Sequence, residues 1–337
     1  MTTASALHQN AIFFDGLNCC NWDREIFEDM RKGGITAINC AALVWENLEG
    51  GLRYVLDWKQ RIRDHADLLR PVHCLADIHA AKAENKTGII LGWQNTSPIE
   101  DQLGYVEIFR DLGVRFMQLT YNTQNYSGAG YLEPNDSGLT GFGREVIEEM
   151  ARVGVVCDLS HVGDRTSADV IAHSPRPVCF SHVLPRALKN VGRNKPDALM
   201  KACADRGGLV GVCLFSPGLA AGNDATIEDY IDAMEHVLAL VGEEHVGIGL
   251  DFSLKHARPG PYQTFASRDK GYARSLTPYA TAKVEKPKGI QQLHEAPNIT
   301  EAMARRGWKP ARIEKILGQN WLRLVGEVAR HDGDALL

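Results

Sequence analysis

Three residues with catalytic or metal-binding side chains stand at the ends of short apolar segments in this chain. His161 ends the run VVCDLSH, His182 ends the run VCFSH, and Asp251 ends the run VGIGLD. Imidazole nitrogen is a common zinc ligand, and a carboxylate can act as general base toward a water molecule that a metal activates. A single histidine is usually structural, but two at equivalent positions, each preceded by serine, indicate a metal-binding or catalytic site.

The segments that carry these residues belong to a longer alternation of strands and helices. Eight short apolar runs are predicted strands: Ala11–Asp15, Thr36–Ala41, Thr87–Trp93, Phe116–Thr120, Val155–Ser160, Val178–Ser181, Leu209–Leu214 and Val246–Leu250. Predicted helices with apolar residues at i, i+3 and i+4 lie between them, and glycine follows these four: Arg24–Arg31, Gln102–Leu112, Arg144–Arg152 and Asp197–Asp205. We therefore predict an α/β fold, a (β/α)8 TIM barrel, whose active site forms where the C-terminal strand ends converge.

The length of the chain suits one such barrel with insertions. A chain of 337 residues, 44% of them hydrophobic, predicts a single domain over residues 1–337. Residues 257–297 are rich in proline, glycine and aromatic residues, and we predict a long loop over the barrel mouth there. Residues 299–329 follow as two predicted closing helices, Ile299–Arg306 and Pro310–Ala329.

Charge and composition favour a small-molecule partner. The net charge is −5 and no run of Lys or Arg forms a basic stripe, which argues against nucleic acid. The N-terminus has no secretory signal and no apolar stretch reaches the roughly 20 residues of a membrane span, so we expect no membrane partner and a cytoplasmic protein. Most of the eight cysteines lie in apolar runs, as reduced core residues do.

These motifs resemble those of the membrane (renal) dipeptidases, zinc hydrolases of the amidohydrolase superfamily. The matching segments cover nearly the whole chain: Phe14–Gly16, Gly88–Gly92, Arg115–Thr120, Asp158–His161, Phe180–His182, Arg193–Asp197, Gly247–Asp251 and Ile316–Arg323. The resemblance implies that His161 and His182 are ligands of the second metal and that Asp251 is the catalytic carboxylate. It also implies that Arg193 binds the carboxylate of the substrate, and it favours a homodimer.

The chain departs from the family in three motifs of the site, which hold four changed positions. Where the family has Asp-Gly-His-Asn-Asp, whose His and second Asp hold the first metal, this chain reads DGLNC, with Leu17 and Cys19 at those two positions. The bridging glutamate of the family is Gln94, a neutral amide, and the histidine that steadies the scissile carbonyl is Tyr121. Because charge or ligand capacity is lost at all three, a two-metal dipeptidase is not expected.

The remaining groups predict a site for one zinc ion. His161 and His182 would hold it together with a third ligand, for which Gln94 and Asp251 are the candidates. Three protein ligands and one water molecule form a normal catalytic zinc site.

The predicted function is that of a divergent metallohydrolase of this family. Asp251 would carry the proton, Arg193 would bind a substrate carboxylate with its planar fork, and Tyr121 would bind the substrate and donate to the developing oxyanion. The substrate is expected to be a small amide or amino-acid derivative with a free carboxylate, and ordinary dipeptides are expected to be hydrolysed poorly or not at all.

Two alternatives stay open at this stage. One is a true binuclear zinc dipeptidase whose first-metal site is rebuilt with Cys19, although Leu17 leaves that metal short of a ligand. The other is a relative, free of metal or structured by zinc, that binds a small amino-acid derivative without turning it over. Metal content and turnover of a dipeptide panel, with and without chelator, would separate the three hypotheses.

Overall fold

Nine parallel strands form the sheet of the computed structural model, which describes residues 3–255 and 284–329. These are β1 Phe14–Asn18, β2 Ala37–Leu43, β3 Leu69–Pro71, β4 Thr87–Trp93, β5 Val114–Gln118, β6 Val156–Asp158, β7 Cys179–Val183, β8 Leu209–Cys213 and β9 Val246–Gly249. Eight of them close into a barrel, because β9 pairs with β1 and β2 pairs with β4. The short β3, which the sequence did not predict, pairs with the N-terminal half of β4. The predicted (β/α)8 barrel is confirmed.

Helices follow most of the strands and cover the outside of the barrel. They are α1 Ala4–Asn10, α2 Arg24–Lys32, α3 Leu48–Asp64, α4 Leu75–Ala83, α5 Tyr105–Asp111, α6 Gly141–Val153, α7 Asp164–His173, α8 Asp197–Asp205, α9 Ile227–Val241, α10 Pro297–Arg305, α11 Pro310–Glu314 and α12 Asn320–Ala329. Local sequence sets several ends: the Asp23 carboxylate accepts from the amide of Ile26 at the start of α2, and Gly154, with φ of 76°, ends α6.

The closing helices seal the N-terminal end of the barrel. A π-helical turn, Lys315–Gln319, joins α11 to α12, so the predicted helix Pro310–Ala329 is one continuous helical segment with a bulge. The Trp321 indole reaches the inner wall, where it stacks on Phe14 and donates to the carbonyl of Ile248 at 3.0 Å. A Cβ at Gly16 would lie 2.3 Å from this ring, so glycine is required there. The opposite end of the barrel is left to hold the site.

Two strand boundaries differ from prediction in a way that matters for the site. The first strand was predicted at Ala11–Asp15 but runs Phe14–Asn18, because α1 continues to Asn10 and the chain enters the sheet later. Leu17 therefore lies inside a strand. The last strand ends at Gly249, and Asp251 beyond it has φ of 52°, in the left-handed region that few non-glycine residues adopt.

The predicted mouth loop lies mostly outside the described residues, since only residues 284–297 of it are described. In that part, Lys286 Nζ donates to the carbonyl of Asp251 at 2.5 Å, which places this end of the region at the barrel mouth. The extent of the single domain stays a prediction. Within residues 3–255 and 284–329, no helix has the length and apolar character needed to cross a membrane. The cytoplasmic location also stays a prediction.

Candidate active site

The two histidines singled out from the sequence meet at the mouth of the barrel. His182 belongs to β7 and His161 to the loop after β6, and their Nε2 atoms lie 3.0 Å apart. Both side chains are buried. Parallel neighbouring strands end at the same rim, which is why residues far apart in sequence converge there.

Hydrogen bonds at the other ring nitrogens assign the tautomers. His161 Nδ1 lies 2.6 Å from Asn122 Oδ1, and an amide oxygen only accepts, so this Nδ1 carries the proton. His182 Nδ1 lies 2.7 Å from Ser181 Oγ, whose own hydrogen is donated to Asp158 Oδ2 at 2.5 Å. His182 Nδ1 therefore also donates. In both neutral rings the Nε2 atom is left with a lone pair.

Asp158 anchors this arrangement from below. Its carboxylate accepts from the hydroxyl and the amide of Ser160, at 2.6 and 3.0 Å, and from the hydroxyl and the amide of Ser181, at 2.5 and 2.8 Å. Complete burial raises the pKa of Asp158, and these four donors oppose that rise because they stabilise the ionised form. The carboxylate thus fixes the rotamer of the serine that holds His182.

The electrostatics keep both imidazoles neutral. Burial lowers the pKa of His161 and of His182 well below the usual 6.5, and the nearby guanidinium of Arg193 lowers both further. Two lone pairs that point at one another across 3.0 Å repel unless a cation lies between them, and a proton is disfavoured by the same burial. A divalent metal ion fits this pair of nitrogens.

Arg193 is buried behind the two histidines. Its two terminal nitrogens donate to the carbonyls of Ser160 and His182, both at 2.8 Å. The neighbouring Lys195, fully buried, donates to the carbonyl of Val162. These two side chains therefore hold the backbone on both sides of His161. The guanidinium has five N–H groups, so donors remain for a carboxylate, and that role of Arg193 stays a prediction.

The positions where the family holds its first metal are filled differently. Leu17 is fully buried, and the thiol of Cys19 lies 3.4 Å from the carbonyl of Phe252 and 3.8 Å from a carboxylate oxygen of Asp251. Gln94, also buried, donates its amide to the carbonyl of Ala41 at 2.8 Å. Leu17 offers no ligand atom and the amide of Gln94 is engaged by the backbone, so only the Cys19 thiol of these three side chains could bind a second divalent cation.

No group of three or more His, Cys, Asp or Glu side chains within the described residues is arranged to hold a metal. The two imidazoles are thus the two strong protein ligands of this site, one fewer than in a usual catalytic zinc site. Asp251 is thus not grouped with the two imidazoles, and Gln94 as the third ligand stays a prediction.

The other two predicted site residues also lie at the mouth. The ring of Tyr121 stacks on His161, with centroids 4.3 Å apart and planes at 26°, and its edge meets Trp45. The Asp251 carboxylate lies between two thiols, with Cys19 and Cys213 each 3.8 Å from one of its oxygens. Tyr121 therefore borders the imidazole pair, and Asp251 borders Cys19 and Cys213.

Sequence reasoning did not assign the residues that orient the imidazoles. These are Asn122, Asp158 and Ser181. The serine before each histidine was the available signal, but only the structure shows that both hydroxyls bind the same carboxylate. Asn122 has φ of 62°, which a sequence pattern does not reveal.

Comparison with known proteins agrees with this fold. The chain is 48% identical to an amidohydrolase from Pseudomonas aeruginosa, whose solved structure superposes with a TM-score of 0.92 and covers 97% of this chain and 99% of that one. The family described as membrane dipeptidase, peptidase family M19, matches residues 7–260. The chain belongs to this family of hydrolases, and the resemblance predicted from its motifs is confirmed.

Curated relatives are more distant. Dipeptidase tcpJ of Claviceps purpurea (strain 20.1) is 28% identical over 278 residues, 81% of this chain and 59% of that protein. Dipeptidase 3 of Rattus norvegicus is 26% identical over 283 residues, 82% of this chain and 52% of that protein. The chain thus spans about half the length of these relatives. A probable dipeptidase of Pseudomonas aeruginosa, PvdM, shares the fold with a TM-score of 0.76 at 21% identity, over 97% of each chain.

Proposed function

We propose that this protein is a hydrolase that uses a single metal ion, zinc by preference, on a small amide or amino-acid derivative with a free carboxylate. The observation that carries the proposal is the pair of buried, neutral imidazoles whose Nε2 lone pairs converge 3.0 Å apart. When bound there, a divalent metal would polarise a carbonyl or lower the pKa of a water molecule. Cytoplasmic location, a homodimer and a small-molecule partner, with no nucleic acid or membrane partner, belong to the same proposal.

The ligand set supports at most one metal per chain. His161 and His182 offer two nitrogen ligands in the required tautomer, whereas Leu17, Cys19 and Gln94 offer no comparable set for a second ion. With two strong protein ligands, this ion would be held less tightly than in a three-ligand zinc site.

The remaining side chains would act on the substrate. Asp251 would take and return a proton, and the Tyr121 phenol, beside His161, would donate to the oxygen on which negative charge develops. Arg193 would bind the substrate carboxylate with the donors that its two backbone carbonyls leave over. Ordinary dipeptides would be poor substrates, since the second metal and the family's histidine donor are replaced.

Metal content and turnover test the proposal together. Protein purified without added metal, then titrated with zinc, should bind no more than one equivalent by elemental analysis. An amide panel with free carboxylates should contain a substrate whose turnover stops when a chelator is added and returns with zinc. Two equivalents of metal with rapid dipeptide hydrolysis would instead support the rebuilt binuclear dipeptidase.

A second candidate is a relative that binds an amino-acid derivative without turning it over. The observation that favours it is the absence, within residues 3–255 and 284–329, of a third metal ligand among His, Cys, Asp and Glu. This candidate predicts ligand binding that is insensitive to chelator and no turnover of any panel member.

Arg193→Lys tests the carboxylate site, since a point ammonium cannot reproduce the two-pronged contact. If Arg193 binds substrate, KM should rise about 10- to 100-fold while zinc affinity stays unchanged, as expected for loss of a charge-assisted hydrogen bond. If it only holds the carbonyls of Ser160 and His182, zinc affinity should fall and KM should follow it.

A further inference from the structure

A pocket of about 380 Å³ lies at the end of the barrel opposite to the imidazole pair. It is bounded by α1, by the last turns of α2 and α4, and by the chain that enters β2 and β4. Nothing in the proposed hydrolytic function uses this region. Its position separates it from the mouth by the full length of the barrel.

The charge of the lining is one-sided. Four cations, Arg31, Lys32, Lys82 and Lys86, line the pocket, and none of its lining residues is Asp or Glu. Like charges gathered in one concavity repel one another, and the low-dielectric walls strengthen the field there. Such a lining favours an anionic occupant.

Three of these cations have no counter-ion within the described residues. Lys86 forms an ion pair with Glu84 at 3.0 Å, but Arg31, Lys32 and Lys82 make no side-chain hydrogen bond or ion pair to any part of the chain that the structure describes. Lys82 is half-buried, and burial alone lowers the pKa of its amine, with no acidic group to oppose the effect. A partly buried charge that lacks a partner is a costly feature in an isolated chain.

Helix ends explain only part of this arrangement. Arg31 and Lys32 lie in the last turn of α2 and Lys82 in the last turn of α4, where cations offset the helix dipole. That effect needs no burial and no pocket, and it does not involve Lys86, which lies beyond α4. The helix dipoles therefore do not account for the convergence of the four cations.

One wall of the pocket is fixed and uncharged. The His8 ring is held between Thr300 Oγ1 at 2.7 Å and the carbonyl of Gly33 at 2.8 Å, and burial lowers its pKa. The neutral side chain of Asn85 lies at the rim between Lys82 and Lys86. The pocket thus combines an uncharged wall with the four cationic side chains.

We propose that this pocket binds a small molecule that bears phosphate. Phosphate offers three acceptor oxygens and up to two charges, so several ammonium and guanidinium groups can share it, whereas a single carboxylate would leave most of them unpaired. The volume exceeds that of one phosphate group, which leaves room for a second phosphate or for the body of a metabolite.

Calorimetric titration of the full chain with inorganic pyrophosphate, inorganic phosphate and citrate tests the proposal. Pyrophosphate should bind with a Kd below a millimolar and more tightly than citrate, and Lys82→Met should weaken it at least about tenfold, the effect of one charge-assisted contact. Lys59→Met, at an exposed lysine of α3 that does not line the pocket, should leave binding unchanged. Should Lys82→Met not fold, Lys32→Met provides the same test at an exposed position.

Three results would overturn the proposal: no binding of pyrophosphate at millimolar concentration, citrate binding at least as tight as pyrophosphate, or equal weakening by Lys59→Met. The readout needs no bound metal and no turnover. Its outcome is therefore independent of the proposed hydrolytic function at the other end of the barrel.

Discussion

The two sides of the barrel mouth satisfy their polar groups in different ways. On the β6–β7 side, Asp158 and Ser181 form a chain of hydrogen bonds that ends at two imidazole lone pairs. On the β1–β4 side, Gln94 turns its amide to a backbone carbonyl and Leu17 is fully buried. The β6–β7 side is arranged to hold an ion between two ligands. The β1–β4 side, called the closed side below, is filled by its own side chains and backbone contacts.

The closed side has also kept a group that would suit a cation. Asp15, fully buried in β1, accepts from the amides of Leu250 and Leu17, and burial raises its pKa to about 7. The pairing of β1 with β2 shifts register between Asp15 and Asn18, an irregularity that redirects side chains. The two sides therefore differ in what their buried polar groups bind: side chains that orient the imidazoles on one side, and backbone groups on the other.

The largest expected effect comes from removing one imidazole of the pair. His161→Ala or His182→Ala should lower zinc affinity by at least about 100-fold, because a first ligand contributes more than the outer partners whose loss costs 10- to 100-fold. Zinc titration against a chromophoric chelator measures this directly. His173→Ala, at a histidine that pairs with Glu148 on the outer helices, is the matched control and should leave affinity unchanged. Undiminished zinc in both site variants would show that the metal lies elsewhere.

The next effect tests whether the β1–β4 side of the mouth can be made to bind a second metal. Leu17→His, Cys19→Asp, Gln94→Glu and Tyr121→His together restore the family pattern and should raise metal content to two equivalents. Dipeptide turnover should rise on the order of 10²- to 10³-fold for a restored electrostatic contact of this kind. Elemental analysis and dipeptide hydrolysis are the measurements.

A control variant separates the effect of restored metal ligands from the effect of added polar groups. Leu17→Gln with Cys19→Asn adds polar groups without restoring the charged or imidazole ligands, and it should not recruit a second metal. If the restored variant folds but still binds one metal, the packing around Asp15 leaves no space for the second ion. Rapid dipeptide hydrolysis by the unmodified chain would contradict the comparison itself.

Sequence patterns predicted the positions of the strands better than they predicted the contacts between strands. The run TGIILGW predicted β4 at its observed bounds, because parallel strands buried on both faces are continuous apolar runs. The helix Asp197–Asp205 was also predicted at its observed bounds. The three-residue strand Leu69–Pro71 was missed, since so short a segment has no periodicity to detect.

For the site, the sequence supplied residue types and the fold supplied partners. Strand ends predicted that His161 and His182 would lie near one another, but the tautomers depend on Asn122 and on the serine of the next strand. Arg193 was assigned to a substrate because arginine forks bind carboxylates. Its contacts to two backbone carbonyls depend on loop geometry that no local pattern encodes.

A smaller effect concerns the outer partners of the imidazoles. Ser181→Ala removes the acceptor that orients His182 Nδ1–H, and zinc affinity should fall about 10- to 100-fold, as for other groups that orient a metal ligand. Ser167→Ala is the matched control, because this buried hydroxyl has no hydrogen-bond partner within the described residues. Equal affinity in both variants would mean that the tautomer of His182 is set by other groups.

The smallest expected effect is the share of the pH dependence of stability that the imidazole pair contributes. In the chelated protein, His161 and His182 have pKa values well below 6.5, whereas in the unfolded chain they titrate near about 6.5. Below that pH the unfolded chain binds more protons, so the free energy of unfolding should fall as pH decreases from 6.5, by up to about 1.4 kcal/mol per pH unit and group.

Urea unfolding of the wild type and of His161→Asn with His182→Gln, between pH 7.5 and 5, measures the slope. The double variant should lose the share of the imidazole pair. It should keep the shares of other groups, such as His8 and His73, whose pKa values burial lowers, and the opposite share of Asp15, whose pKa burial raises to about 7. Exposed His79→Gln should keep the wild-type slope. A wild-type slope in the double variant would mean that the imidazole pair is not held neutral by burial, and the main argument for a metal between the two rings would fail.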